Sequence, residues 1–346
     1  MLPLVNRSIL ILALITSLSS GALAQNRFTE TELPEAFSEI LNPFLNSAQS
    51  EAFIGTGGKS LQSYRWLRND ARAHILILTG FSENVLKYRE LAYLFYQEGY
   101  SVHLYEHRGH GRSELLTDER QKMYVTDFED YVKDLGIYLQ TFLASEELPI
   151  LALTHSMGGT VLTRHLQQNA NSPIKAAYMA SPMFDLFTDG YPRPVLTALT
   201  KAAILAGQGQ QYVFGRGPLD PGTLTIDAFG DNTSEVRFQA YIQDSAKAGV
   251  LQGNATFGWT YAALKATGQL MKEKNIKKIN RPLFIAQAEF DTVVRSDAQT
   301  KFCALLSQCR IQSFPGRHAL IYEKDEIFVP FTESVLLYFT EQLNTP

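Results

Sequence analysis

Ser156 lies in the run Thr154-His155-Ser156-Met157-Gly158-Gly159. Residues 150–153 before it are apolar, and residues 158–168 after it repeat at helical spacing. A serine on a sharp strand-to-helix turn lifts its hydroxyl clear of a sheet edge. The helix behind it offers unpaired amides and a positive dipole end to a developing oxyanion. The usual pattern at such an elbow is G-x-S-x-G; here Thr154 stands in place of the first glycine. A serine hydroxyl needs a base, and the base needs a carboxylate to orient it. With this kind of elbow the chain order is serine, acid, histidine. Asp291 follows an apolar stretch at 283–287, with Glu289 and Asp297 as rival carboxylates, and His318 follows a strand pattern at 310–314. Both therefore fall in loops at strand C-terminal ends, the edge where open parallel sheets bind ligands. The chemistry this predicts is attack by Ser156, proton transfer by His318 and orientation by Asp291.

Such a reaction needs two more amides. The backbone N–H of Met157 is one. The loop 79–84, Thr79-Gly80-Phe81-Ser82-Glu83-Asn84, supplies Phe81 as the other, with Gly80 leaving room for the backbone to approach. Of seven histidines, His74, His103 and His165 lie in predicted strands or a helix, and His155 is expected to be a packed structural residue. A metal site from His107 and His110 has no carboxylate cluster beside it, and two cysteines alone do not suggest zinc. No metal or organic cofactor is required.

The elements that must position these groups can be read from the pattern. Residues 28–49 read as a partly helical lead-in. Residues 51–54 and 61–67 form an antiparallel pair, and 74–78, 101–105, 150–153 and 176–180 are apolar strands. Helices at 88–97, 127–143 and 158–168 alternate with them, so the strands are parallel and covered on both faces. The alternation breaks over 182–279, where helical patterns appear at 195–205, 234–245 and 259–273. Strands resume at 283–287 and 310–314, and a helix closes the chain at 328–343. The expected organisation is a core of residues 25–181 and 280–346, with a helical cap inserted at 182–279. One face of the first insertion helix carries Val195, Leu199, Ala202 and Ala203, and packing onto the core is the simplest use for it. Tyr191, Phe214 and Trp259 are candidate pocket residues, with Phe229, Phe257 and Tyr261 beside them.

The chain has 346 residues, 45% hydrophobic and 19% charged, with a formal net charge of −4. That is ordinary for one globular core with an insertion and argues against nucleic acid as a partner. Residues 1–24 read as a signal peptide: Arg7, an apolar run at 9–18, then Ala22-Leu23-Ala24 before Gln25. The expected location is periplasmic or secreted, the alternative being an uncleaved N-terminal anchor. Export places Cys303 and Cys309 in an oxidising compartment, where they are expected to pair. Cys303 falls in a helix and Cys309 at the start of the strand after it.

Several runs together resemble the bacterial lysophospholipase and monoacylglycerol lipase group of α/β-hydrolases. They are Thr79-Gly80-Phe81, Tyr88-Arg89-Glu90-Leu91-Ala92, Glu106-His107-Arg108-Gly109-His110-Gly111-Arg112-Ser113, the elbow, and Gly316-Arg317-His318. The likeness spans residues 60–340. Thr79 and Glu106 stand where relatives often carry His and Asp. The resemblance implies an α/β-hydrolase fold, a mostly parallel central sheet flanked by helices with a helical lid. It also implies an ester hydrolase acting on a single-acyl lipid, with peripheral membrane contact through the lid. Three other readings compete. A serine aminopeptidase would need an acidic pocket, for which Glu83, Asp185 and Asp189 are candidates. Epoxide or halide enzymes of this fold use Asp where this chain has Ser156. A binding protein that has lost catalysis would not need the triad spacing.

Overall fold

Runs such as HILIL and ILALTH have no polar face to turn to water, so they become strands covered on both sides. The computed structural model describes residues 27–188, 190–222, 224 and 233–345. The expected leader, Asp189 and Phe229 lie outside the described residues. The strands are β1 (Gln49–Ile54), β2 (Ser60–Trp66), β3 (His74–Leu78), β4 (Ser101–Tyr105), β5 (Ile150–His155), β6 (Ile174–Ala180), β7 (Leu283–Ala288) and β8 (Cys309–Phe314). They form one sheet in the order β1-β2-β4-β3-β5-β6-β7-β8. β2 pairs antiparallel with both β1 and β4, and every other pairing is parallel.

Helices cover both faces: α1 (Arg89–Gln97), α2 (Glu129–Phe142), α3 (Met157–Gln168), α4 (Arg193–Leu205), α5 (Glu235–Lys247), α6 (Phe257–Leu270), α7 (Ser296–Cys303) and α8 (Asp325–Asn344). The two-residue period of a strand divides the core. Ile75 and Ile77 belong to one cluster with Phe95 of α1 and Phe331 and Val335 of α8. Leu76 and Leu78 belong to the opposite cluster, with Tyr131 of α2, Val161 of α3 and Phe302 of α7. This is the fold the sequence predicts for the core.

The segment 182–279 contributes α4, α5 and α6 but no strand to the main sheet. It differs from the sequence expectation in three respects. The helix expected at 259–273 starts at Phe257, because the Thr256 hydroxyl accepts the Trp259 amide at 3.3 Å and caps it there. It ends at Leu270, and Glu273–Ile276 is a separate turn. Asn254–Ala255 pairs with Lys122–Met123 as a short ribbon, too brief to show as a pattern. The face of α4 expected to pack on the core does not: Val195 and Leu199 are 46% and 40% exposed, and only Thr200 of that helix is buried. The reason is layering. α6 takes the inner position, burying Ala262, Ala263, Ala266 and Leu270 against α3, and α4 lies on α6.

α5 is fastened by a buried cation. Arg237 is 1% exposed and donates to both Glu90 carboxylate oxygens at 2.9 Å, to Asp325 Oδ1 at 2.9 Å and to the Glu323 carbonyl at 3.0 Å. Its guanidinium also lies 4.1 Å from the Phe328 ring centre. One side chain thus joins α5 to α1 and α8. At the far side, the Cα atoms of Cys303 and Cys309 are 5.3 Å apart, the separation of a bridged pair, between the end of α7 and the start of β8.

Two outcomes follow. Arg237→Ala leaves Glu90 buried without its partner, and should lower unfolding free energy in urea by about 3–5 kcal/mol. Alkylation with intact-mass analysis should find no free thiol before reduction and two after it; label on the unreduced protein would rule out the bridge.

Candidate active site

β5 ends at His155 and α3 begins at Met157, so the whole reversal falls on Ser156. Its backbone sits at φ 49° and ψ −114°, a conformation L-residues rarely adopt. Two glycines explain why the turn closes. A Cβ on Gly158 would lie 2.3 Å from the Leu78 carbonyl oxygen, and one on Gly159 would lie 2.6 Å from Pro182 Cβ. Helix and strand ends therefore meet closer than any other residue allows. The Ser156 carbonyl accepts the amides of Gly159 at 2.9 Å and Met183 at 3.0 Å, which secures the turn from both sides.

Asp291 and His318 arrive from the ends of β7 and β8. The Ser156 hydroxyl lies 2.8 Å from His318 Nε2, and His318 Nδ1 lies 2.8 Å from Asp291 Oδ2. A carboxylate accepts only, so the ring proton sits on Nδ1 and leaves Nε2 free to accept from the serine. The other Asp291 oxygen accepts the amides of Val293 at 2.8 Å and Val294 at 2.9 Å. Burial works to raise the Asp291 carboxyl, but His318 and the two amides prevail and hold it below the usual range. Ser156 is 5% exposed.

The amides of Met157 and Phe81 have no hydrogen-bond partner among the described residues. Met157 heads α3, and Phe81 lies in the loop after β3 with its ring 4.0 Å from Trp259. Trp259 is thus buried beside the site. Tyr191 and Phe214 are 48% and 68% exposed; Phe214 meets the ring of Phe257 at 5.1 Å.

The loop 106–113 is a brace beside the site. Arg108 donates to both Asp134 oxygens at 2.7 Å. Buried Glu106 accepts the Val85 amide at 3.0 Å and the Arg112 amide at 2.6 Å. His107 faces the Thr79 carbonyl at 3.2 Å, and His110 faces that of Arg108 at 3.0 Å.

The family model for serine aminopeptidase S33 hydrolases matches residues 69–325. The chain belongs to this family. It is 32% identical over 298 residues to a probable lysophospholipase L2 of Haemophilus influenzae, covering 84% of this chain and 92% of that protein. It is 26% identical to lysophospholipase L2 of Escherichia coli K12, over 82% of this chain and 85% of that one. A soluble variant of monoglyceride lipase from Saccharomyces cerevisiae, solved with a substrate analog, superposes with a TM-score of 0.66 at 18% identity, covering 85% and 96% of the two chains.

Near the elbow of this S33 hydrolase lies a buried carboxylate, Glu83. Glu83 was a candidate for binding a substrate amine, yet it is already occupied. It accepts the Gly80 amide at 2.5 Å and Lys87 Nζ at 2.5 Å, and it also takes the Tyr88 hydroxyl. His155 Nδ1 lies 2.9 Å away, at ion-pair distance but off the axis of an aligned hydrogen bond. Burial would raise this carboxyl, but His155 and Lys87 hold it well below the usual range. No motif marks this cluster; only the fold brings Gly80, Lys87, Tyr88 and His155 to one carboxylate. Asp185, the second candidate, pairs with Arg193.

Burial pushes six histidines down from 6.5: His74 and His155, His103 and His107 to about 3, and His110 and His165 to about 4. Below pH 6.5 the unfolded chain therefore binds protons that the folded chain refuses. Stability should fall as pH drops from 6.5 towards 4, by up to about 1.4 kcal/mol per pH unit for each group. Urea titrations across that window should show the slope, and His165→Gln should reduce it.

Proposed function

We propose that this protein is a serine ester hydrolase of single-acyl lipids, a lysophospholipid or a monoacylglycerol, working through an acyl-enzyme. The observation that carries the reading is the pair of 2.8 Å contacts joining Ser156, His318 and Asp291 across three separate loops. Ser156 attacks the ester carbonyl as its proton passes to His318 Nε2. Asp291 holds the imidazole in place and stabilises it when charged. The carbonyl oxygen becomes an oxyanion and takes the amides of Met157 and Phe81. His318 then returns the proton to the departing alcohol, leaving the acyl group on Ser156. Water repeats the sequence and releases the fatty acid. No cofactor enters these steps.

The names of the relatives support a lipid ester as substrate, and so does the surface. Val195, Leu199 and Leu205 of α4, and Phe214 beyond it in the chain, leave apolar side chains in solvent. On this reading the segment 182–279 is the cap, and those side chains are its contact with a lipid surface. The leader at 1–24 would deliver the enzyme to the envelope or outside it. The aminopeptidase alternative has less to work with, since Glu83 and Asp185 already have partners.

The test uses purified protein. Fatty acid release from a long-chain lysophosphatidylcholine and a monoacylglycerol should far exceed hydrolysis of an aminoacyl anilide. Ser156→Ala should lower turnover by about 10⁴-fold or more and abolish fluorophosphonate labelling. Preference for the anilide, or a Ser156→Ala protein that keeps most of its esterase rate, would overturn the proposal.

A further inference from the structure

We infer that Glu83 is a positioning residue that ties the oxyanion loop to the catalytic base, with His155 as the link between them. The inference rests on the ester hydrolase reading of the Ser156 site and adds a residue to it.

A buried carboxylate is costly unless its lone pairs are filled. Glu83 has a side chain only 7% exposed, and it has no helix to cap. Its neighbour Asn84 does that, accepting the Leu86 amide at 3.0 Å. Lys87 alone would neutralise its charge. The remaining contacts point elsewhere. Through one oxygen Glu83 holds the Gly80 amide, the peptide just before the free amide of Phe81. Tyr88 joins the same oxygen and lies 3.2 Å from the Gly80 amide as well. Glycine gives this loop its reach and also its looseness, so an anchored Gly80 is what keeps Phe81 aimed.

The other oxygen faces His155, which directly precedes Ser156. On its far side, His155 Nε2 lies 3.2 Å from the main-chain oxygen of His318, and the two rings are 5.0 Å apart. The three parts of the site therefore meet behind the reacting atoms. The loop of Phe81, the strand that carries Ser156 and the loop of His318 are all in contact with the Glu83–His155 pair. The fit is close: a Cβ on Gly80 would lie 2.6 Å from Glu83 Oε2 and 2.9 Å from His155 Nδ1. Loosening the pair should spoil alignment in the transition state more than it affects binding of substrate.

The experiment compares Glu83→Gln, His155→Leu, His155→Gln and the Glu83→Gln/His155→Leu double variant on a soluble short-chain ester, with thermal melts to confirm folding. Ser156→Ala is the control. Glu83→Gln and His155→Leu should each lower kcat by about ten- to a hundred-fold, with KM within about twofold. His155→Gln keeps a donor for the His318 carbonyl and should recover most of the rate. The double variant should lose little more than the worse single one, as expected of residues acting as a unit. A folded Glu83→Gln protein with the parental kcat, or a double variant whose losses multiply, overturns the inference. If Glu83→Gln does not fold, the two His155 variants decide, and equal kcat for them overturns it. Esterase activity surviving in Ser156→Ala would instead overturn the reading of the site itself.

Discussion

A serine held at positive φ is the constraint from which the rest of this site follows. Such a backbone costs about 1–3 kcal/mol and persists only where its surroundings enforce it. Here they are the contact of Gly158 with the end of β3 and of Gly159 with Pro182. Because the helix begins at once, Met157 has a free amide, and because the strand ends at once, the hydroxyl stands clear of the sheet. His318 need only come from the right strand end to meet it. The parallel order of β3, β5, β6, β7 and β8 provides that, since strands running one way deliver all their following loops to one edge.

Much of this was legible in the chain. The elbow could be read because its requirements are local: an apolar strand, glycines two and three places after the serine, a helix. Asp291 and His318 could be read because parallel topology turns chain order into place. The disposition of 182–279 was less legible. A hydrophobic stripe on α4 and one on α6 look alike, and nothing in periodicity says which helix lies inside. The structure shows the outcome: α6 buries Ala262, Ala263 and Ala266 beside α3, and α4 remains outside with Val195 and Leu199 exposed. The surroundings of Glu83 were hidden for a similar reason. A glutamate in a loop looks available, and only the fold shows how many donors surround it.

The two core layers also share out the work. α5 belongs to one face, through Phe238, Tyr241 and Ile242, and α6 to the other, through Trp259 and its alanines. The segment therefore straddles the sheet edge where the serine stands. Trp259 connects this arrangement to the loop after β3, since its ring packs on that of Phe81. Changes deep in the α6 packing reach the loop after β3 through that contact.

The path of the chain around the segment has an evolutionary corollary. The chain leaves the sheet at Ala180 and returns at Leu283, and those two strands are direct neighbours, with Ala177 opposite Leu283. Closing a longer excursion between fixed ends costs only slowly more with length. The segment can thus be lengthened, shortened or exchanged without shifting one strand against the next. Selection can act on the excursion while the loops bearing Ser156, Asp291 and His318 stay in register.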